Sequence, residues 1–288
     1  MMERRTKSYL QLMKPGITLS NTLAAVAGFF LATSYAGFSL QIFIGITSGI
    51  AFVIASACVV NNIIDRDIDA RMKRTRGREV AAGNISIQNA IIYAGILGAV
   101  GFGMLAMWTN VLTVGLGLLA YFWYVVVYGI AKRKTPLSTI IGGVCGALPP
   151  VAGYTAVTGQ LDIVAAILFV ILMVWQLPHF YAISIFRRDD YRKAGLPVWS
   201  VKHGNASTRR QMMFWVLAFL ALTPALAFVG ATCNLYLVVM VIAGLYWAIN
   251  GIVHVDEADE QWARRMFKSS IYVLLATLFA VGVGGYLK

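Results

Sequence analysis

Apolar residues in this chain gather into nine long runs, each close to the about 20 residues that carry a helix across a bilayer. The runs predict helices at 17–35, 40–62, 87–107, 111–130, 137–157, 162–186, 211–230, 234–253 and 269–287. The polar connections alternate in character. The N-terminal segment and the connections at 63–86, 131–136, 187–210 and 254–268 are charged, whereas the others are short and nearly neutral. The pattern predicts an all-α protein, a polytopic membrane helical bundle of nine transmembrane helices. It forms one integral-membrane domain over 1–288, with no separate soluble domain. Met1–Lys7 is short and basic, and the first apolar run continues into a full span, so no signal peptide is invoked. Pro149-Pro150 should kink the fifth span and free backbone groups for neighbouring helices to satisfy. Gly142-x-x-x-Gly146 just before it reads as a close-packing surface.

Composition excludes a water-soluble domain. Only 12% of the residues are charged, against about a quarter in soluble proteins, and the mean hydropathy is +0.73. A net charge of +12 raises nucleic acid as a partner, but the distribution of the charge argues against it. Of the 24 Lys and Arg, all except Lys288 fall on one side of the predicted bundle. By the positive-inside rule that side is cytoplasmic, which puts the N terminus in the cytoplasm and the C terminus in the periplasm of a bacterial inner membrane. Anionic membrane lipid accounts for some of these charges and nucleic acid for none. Cys58, Cys145 and Cys233 are far apart in apolar sequence without metal-ligand spacing, and read as small packing residues.

Two charged helix ends stand out. At the end of the second run, Asn61, Asp65 and Asp69 recur every four residues, which puts them on one stripe of a helix, with Asp67 pointing elsewhere. Ionisable groups at a membrane boundary are costly, so an ordered acidic row suggests cation binding or proton handling. Arg71-Met72-Lys73-Arg74-Thr75-Arg76-Gly77-Arg78 follows at once. Carboxylates supply hard oxygens for magnesium and guanidiniums supply forked donors for phosphate, so together they suit a magnesium diphosphate. The plainer reading is a juxtamembrane cluster that only sets orientation.

At the end of the sixth run, Trp175-Gln176-Leu177-Pro178-His179-Phe180-Tyr181 leads into Phe186-Arg187-Arg188-Asp189-Asp190-Tyr191-Arg192-Lys193. Eleven residues separate His179 from Asp190, near three helical turns. A continuous helix would put both on one face about 16 Å apart, with Asp190 at the rim and His179 within the bilayer. His179 reads as a satisfied core residue, the alternatives being a ligand to metal or haem iron and a general base. Asp189 and Asp190 read either as site residues or as loop acids paired with Arg187 and Arg192. The acids at 256–260 beside Arg264 and Arg265 have helical offsets and read as a solvated amphipathic turn, while His203 and His254 read as exposed loop residues without partners.

Two such ends facing each other would form a magnesium diphosphate site opening into apolar walls. There metal and guanidinium charge stabilise a departing diphosphate, and a dry aromatic pocket shelters the allylic cation left behind. Tyr121, Tyr124, Tyr128, Phe180 and Tyr181 are candidate walls. Asn61-Asn62-x-x-Asp65-Arg66-Asp67-x-Asp69 with Arg74 and Arg78 resembles the first motif of the UbiA superfamily of intramembrane prenyltransferases. The stretch 58–78, with 175–179 and 181–197, is similar to the branch that farnesylates haem b, and Lys14-Pro15-Gly16, Pro149-Pro150 and nine spans extend the likeness over essentially the whole chain.

The resemblance implies transfer of the farnesyl group of farnesyl diphosphate to a vinyl group of haem b, with addition of water, giving haem O. It implies that Asn61, Asp65 and Asp69 hold Mg2+ and diphosphate, that Arg74 and Arg78 clamp phosphate oxygens, and that Asp190 represents the second acidic motif. Arg187, Lys193 and Tyr181 belong to the substrate side, His179 lies near the porphyrin, and the partners extend to haem–copper oxidase or haem A synthase machinery. In two places the chain departs from the superfamily. Arg187 and Arg188 occupy part of the second acidic row, so a second fully liganded magnesium is not carried over and cations there meet phosphate or haem propionates. Glu79 follows Arg78 where proline is usual.

The alternatives are a prenyltransferase acting on an aromatic quinone precursor, an ion-coupled transporter, and a haem-delivery subunit without catalysis. His179 and the depleted second acidic row favour haem over a phenolic acceptor. Acids at one membrane face and the lack of an inverted repeat disfavour transport. A delivery subunit would need His179 but not the aspartates.

Overall fold

The computed structural model describes residues 2–288, with side chains from residue 6 onward. The side chains of Arg4 and Arg5, counted in the cationic N-terminal segment, lie outside the described residues. The helices in chain order are α1 (Met2–Leu12), α2 (Pro15–Ala36), α3 (Leu40–Ile64), α4 (Arg66–Arg71), α5 (Ile87–Trp108), α6 (Val111–Phe122), α7 (Gly129–Lys134), α8 (Ser138–Thr158), α9 (Ile163–Phe186), α10 (Arg188–Lys193), α11 (Trp199–Leu222), α12 (Ala225–Phe228), α13 (Asn234–Val253) and α14 (Asp259–Gly284). A π-helical turn, Trp123–Tyr128, joins α6 to α7 without a break in the rod. Among the described residues, nine helical segments are long and apolar enough to cross a membrane, so the protein is integral and multi-pass.

Local sequence sets the ends of several of these helices. Ser39, Ser86, Asn110 and Asp162 each cap a span by accepting from a backbone N–H of the first turn. Two spans begin earlier than hydropathy predicts. The seventh starts at Trp199 rather than 211, because its polar first turns are helical outside the apolar stretch and bend at Gly204 (φ 81°). The ninth starts at Asp259 rather than 269, where Asp259 and Glu260 suit the positive end of the helix dipole. Glu260 pairs with Arg264 at the expected helical offset. His254 is not partnerless as expected: it sits beside the carbonyl of Asn250 at the end of α13, with Nδ1 3.2 Å away. His203 is exposed and its ring lies against Trp199, 4.2 Å between centroids.

α2 is the hinge of the packing, lying against α3, α8 and α14 at once. α3 pairs with α5, α8 with α6 and α9, and α9 with α11 and α14, so α2 and α8 join two helical groups. Pro149 and Pro150 do not interrupt α8, which runs unbroken through both. Its backbone instead touches that of α2. A Cβ on Gly153 would lie 1.8 Å from the Ala25 carbonyl oxygen, and one on Gly28 would lie 2.0 Å from that of Pro150. Gly142 and Gly146 make room for side chains rather than for a helix, since Cβ atoms there would meet the Tyr128 ring and the Gln176 amide.

Because backbone at the α2–α8 contact cannot yield as a side chain can, Gly153→Ala should cost at least the about 1–3 kcal/mol of core overpacking. A thermal melt in detergent is expected to fall several degrees for Gly153→Ala. Gly103→Ala, where nothing lies within 4 Å of the new Cβ, should stay near wild type; equal melts would refute the contact.

Candidate active site

The second span ends at Asp65, whose backbone (φ −92°, ψ 3°) separates α3 from α4. The four-residue hydrogen bonding nonetheless continues across the junction, Asp65 N to Asn61 O at 2.9 Å and Asp69 N to Asp65 O at 2.8 Å. The stripe read from spacing therefore survives the break. Asn61, Asp65 and Asp69 are 4%, 8% and 1% exposed, while Asp67 turns outward.

Each stripe residue meets a cation from a different segment. Lys14, in the turn between α1 and α2, donates from Nζ to Asn61 Oδ1 at 2.6 Å. Lys132 of α7 donates to Asp65 Oδ2 at 2.5 Å. Arg78 Nη1 lies 2.8 Å from both oxygens of Asp69. Burial, helped by Arg78 and opposed by Cys58, Asp65 and Asp69, lowers the Lys14 ammonium to about 8. Asp65 Oδ1 is buried without a hydrogen-bond partner, although Arg133 Nη2 stands 3.8 Å away. Glu79 Oε2, next to Arg78, is also buried and unpaired.

Arg133 holds Asp67 through two bonds of 2.9 and 2.8 Å, and that bonding pulls the Asp67 carboxyl down to about 2. Asp67 is half exposed and belongs to the surface. Asp67→Asn is accordingly expected to leave activity close to wild type, where substitutions in the stripe are expected to lower it by orders of magnitude. A loss comparable to theirs would overturn this division of the acids.

The second acidic segment is brought to the first, though not along the path expected. Arg187 (φ −116°, ψ 17°) ends α9, and α10 is a separate short helix, so His179 and Asp190 do not share a continuous helical face. Asp190 Oδ1 accepts from the Lys73 backbone N–H at 3.3 Å, while Asp189 pairs with Arg192. Ile68 and Met72 on one side pack with Ala194, Leu196 and Val198 on the other, next to Tyr191. Burial raises the Tyr191 phenol against the opposing pull of Arg74, Arg78 and Arg187, so those guanidiniums converge on it. Arg74 and Lys193 are exposed, and Arg187 and Arg188 are half-buried with Nε unpaired.

The π turn sets the aromatic side of the site. Tyr124 and Tyr128 stack with centroids 5.8 Å apart, and Lys132 Nζ lies 5.3 Å from the centre of the Tyr128 ring. Tyr128 is within electrostatic range of Asp65, Arg78 and Tyr191. Tyr121 instead bonds Ser56, Phe180 faces outward, and Tyr181 is fully buried in the apolar core with its hydroxyl unpaired. His179 packs between α9 and α14 against Ser270 and Phe267, and none of its contacts reaches the carboxylate stripe.

Asn61, Asp65, Asp69, Arg74, Arg78, Arg187 and Asp190 thus gather at one end of the bundle, whereas His179 and Tyr181 lie on α9 away from that group. Sequence reasoning missed Lys132, Arg133 and Tyr191, and took Lys14 only as part of a motif. A signal for Lys132 exists: it follows Tyr128 by four residues at the polar end of an apolar run, the offset of a shared helix face. The partners across the bundle carry no local signal.

The profile of the UbiA prenyltransferase family matches residues 21–278. Protoheme IX farnesyltransferase 2 of Pseudomonas paraeruginosa is 43% identical over 94% of this chain and 92% of its own length. The protein of the same name in Vibrio parahaemolyticus is 40% identical over 96% and 97%. In fold, the chain is similar to a solved structure of digeranylgeranylglyceryl phosphate synthase, with a TM-score of 0.81, 18% identity and coverage of 99% and 100%. It is also similar to a UbiA homologue from Archaeoglobus fulgidus bound to GPP and Mg2+, with a TM-score of 0.68, 18% identity and coverage of 95% and 99%.

Proposed function

The chain belongs to the UbiA prenyltransferase family and to its protohaem IX farnesyltransferase branch, and from that premise we propose that the stripe Asn61–Asp65–Asp69 and the cations around it form its diphosphate site. The reaction is transfer of the farnesyl group of farnesyl diphosphate to a vinyl group of haem b, with addition of water, giving haem O and diphosphate. The carbon–oxygen bond to diphosphate breaks with its electron pair going to the leaving group. The vinyl π electrons then form the new carbon–carbon bond, and water supplies the hydroxyl while its proton passes to solvent.

The observation that carries the site assignment is a buried acidic stripe, each member held by a cation from a separate segment, with one buried carboxylate oxygen, Asp65 Oδ1, unpaired. Such an oxygen is the donor magnesium takes, and this ion needs only one or two carboxylates beside phosphate oxygens and water. Asp65, Asp69 and Asn61 would hold it. When bound, it supplies divalent charge that stabilises the departing diphosphate. Arg78 and Lys132 turn from the carboxylates to phosphate oxygens as the substrate arrives, so the same two cations neutralise the stripe before binding and the leaving group afterwards, and the exposed Arg74 adds a third phosphate donor. Arg187, Lys193 and Asp190 close the site from the α10 side, and the Tyr124–Tyr128 stack offers ring faces to the allylic cation. The cationic end faces the cytoplasm of a bacterial inner membrane, with the N terminus inside and the C terminus in the periplasm. The product suggests association with haem A synthase or haem–copper oxidase machinery.

Purified protein given haem b, farnesyl diphosphate and magnesium is expected to yield haem O by mass spectrometry, with release of diphosphate. Product formation that persists unchanged under chelation would sink the magnesium assignment. Prenylation of a phenolic acid with haem b left intact would sink the acceptor.

A further inference from the structure

His179 is held in a way that leaves one nitrogen in use and the other free. Its ring stacks on Trp175, with centroids 5.0 Å apart and planes at 27°, and lies tilted at 33° against Phe267 of α14 at 4.7 Å. Its Nδ1 is 2.7 Å from Ser270 Oγ. Ser270 Oγ donates to the carbonyl of Phe267 at 2.6 Å. A hydroxyl carries one hydrogen, so the oxygen faces His179 as an acceptor and Nδ1 carries the proton. In a neutral imidazole the lone pair is then on Nε2. Nε2 makes no hydrogen bond and is not sealed in the core, since His179 keeps partial exposure at the α9–α14 contact. Ser270 also accepts from Trp175 Nε1 through its backbone carbonyl at 2.9 Å, so one residue fixes both rings across the two helices.

We propose that Ser270 is a positioning residue that fixes the tautomer of His179 and presents its Nε2 lone pair to the iron of the haem substrate. The proposal rests on the haem reading above. Neutral imidazole nitrogen is a common ligand to iron, and an acceptor on the far nitrogen orients such a ligand and raises its basicity. On a fold whose diphosphate site lies elsewhere, this gives the acceptor substrate an anchor of its own.

The test is a titration of purified protein with ferric haem b, followed by absorption spectroscopy beside the farnesyl-transfer assay. Wild type is expected to show an imidazole-ligated spectrum that His179→Ala loses and added imidazole restores. Ser270→Ala keeps the backbone bond to Trp175, and is expected to weaken haem affinity about 10-fold and alter the ligation spectrum. Ser270→Thr, which keeps the oxygen acceptor, should return both towards wild type. In a His179→Ala background, Ser270→Ala should have no further effect, because the two act as a unit. A wild-type spectrum and affinity in Ser270→Ala, or additive losses in the double variant, would overturn the proposal while haem O is still made. Wild-type protein that neither binds nor farnesylates haem would overturn the haem reading instead.

Discussion

Asp65→Asn is expected to cut farnesyl transfer by at least about 10²–10³-fold, the scale on which removing one transition-state electrostatic contact acts. The substitution keeps the size of the side chain and an oxygen acceptor for Lys132, so the fold should lose less than it would with alanine, the cost being the counter-charge that the buried ammonium gives up. It removes the charge that makes a buried unpaired oxygen a ligand for a hard cation. Two readouts separate this from general damage. The magnesium concentration giving half-maximal residual turnover should rise, because the affinity of the site for the metal has fallen. The spectrum of bound ferric haem should not change, because His179 and Ser270 have no contact with the stripe. Full turnover in Asp65→Asn, or a loss matched by an equal loss of haem binding, would mean that Asp65 does not serve the diphosphate.

Much of the fold was legible because a bilayer makes the code coarse. Nine spans follow from run lengths alone, and the stripe at 61, 65 and 69 from a period of four. The reading failed where hydropathy ceased to report helicity. The first turns of α11 and α14 are polar yet helical, and the helix expected to carry His179 and Asp190 on one face ends at Arg187, which nothing in composition marks. Gly142 and Gly146 have the spacing of a helix contact but accommodate Tyr128 and Gln176, since spacing reveals small residues and not what fills the space beside them. The site was half legible for the same reason. Its acids lie on one segment and share a period, whereas Lys14, Lys132 and Tyr191 come from three separate segments brought in by packing. A search for periodic charge finds the first kind and cannot find the second.

That packing makes Arg78 the second position of large expected effect, because it serves folding and chemistry at once. Arg78→Ala strands the Asp69 carboxylate, 1% exposed and otherwise unpaired by a cation at this distance. Breaking a buried pair from one side costs roughly 3–5 kcal/mol, and the partial exposure of Arg78 places this case towards the lower end. The variant should therefore melt several degrees earlier and also lose turnover, with a raised KM for farnesyl diphosphate because a guanidinium donor to phosphate is gone. Removing the stranded charge separates the two effects. In Arg78→Ala/Asp69→Asn the melt should return most of the way to wild type, since no buried ion remains without its partner, while turnover stays lost. Arg78→Lys should hold the fold better than alanine yet remain impaired, because an ammonium cannot reproduce the forked donor geometry. If restoring stability in the double variant also restores turnover, Arg78 is a structural counter-ion alone, and the clamp on the diphosphate must be sought among Arg74, Lys132 and Arg187.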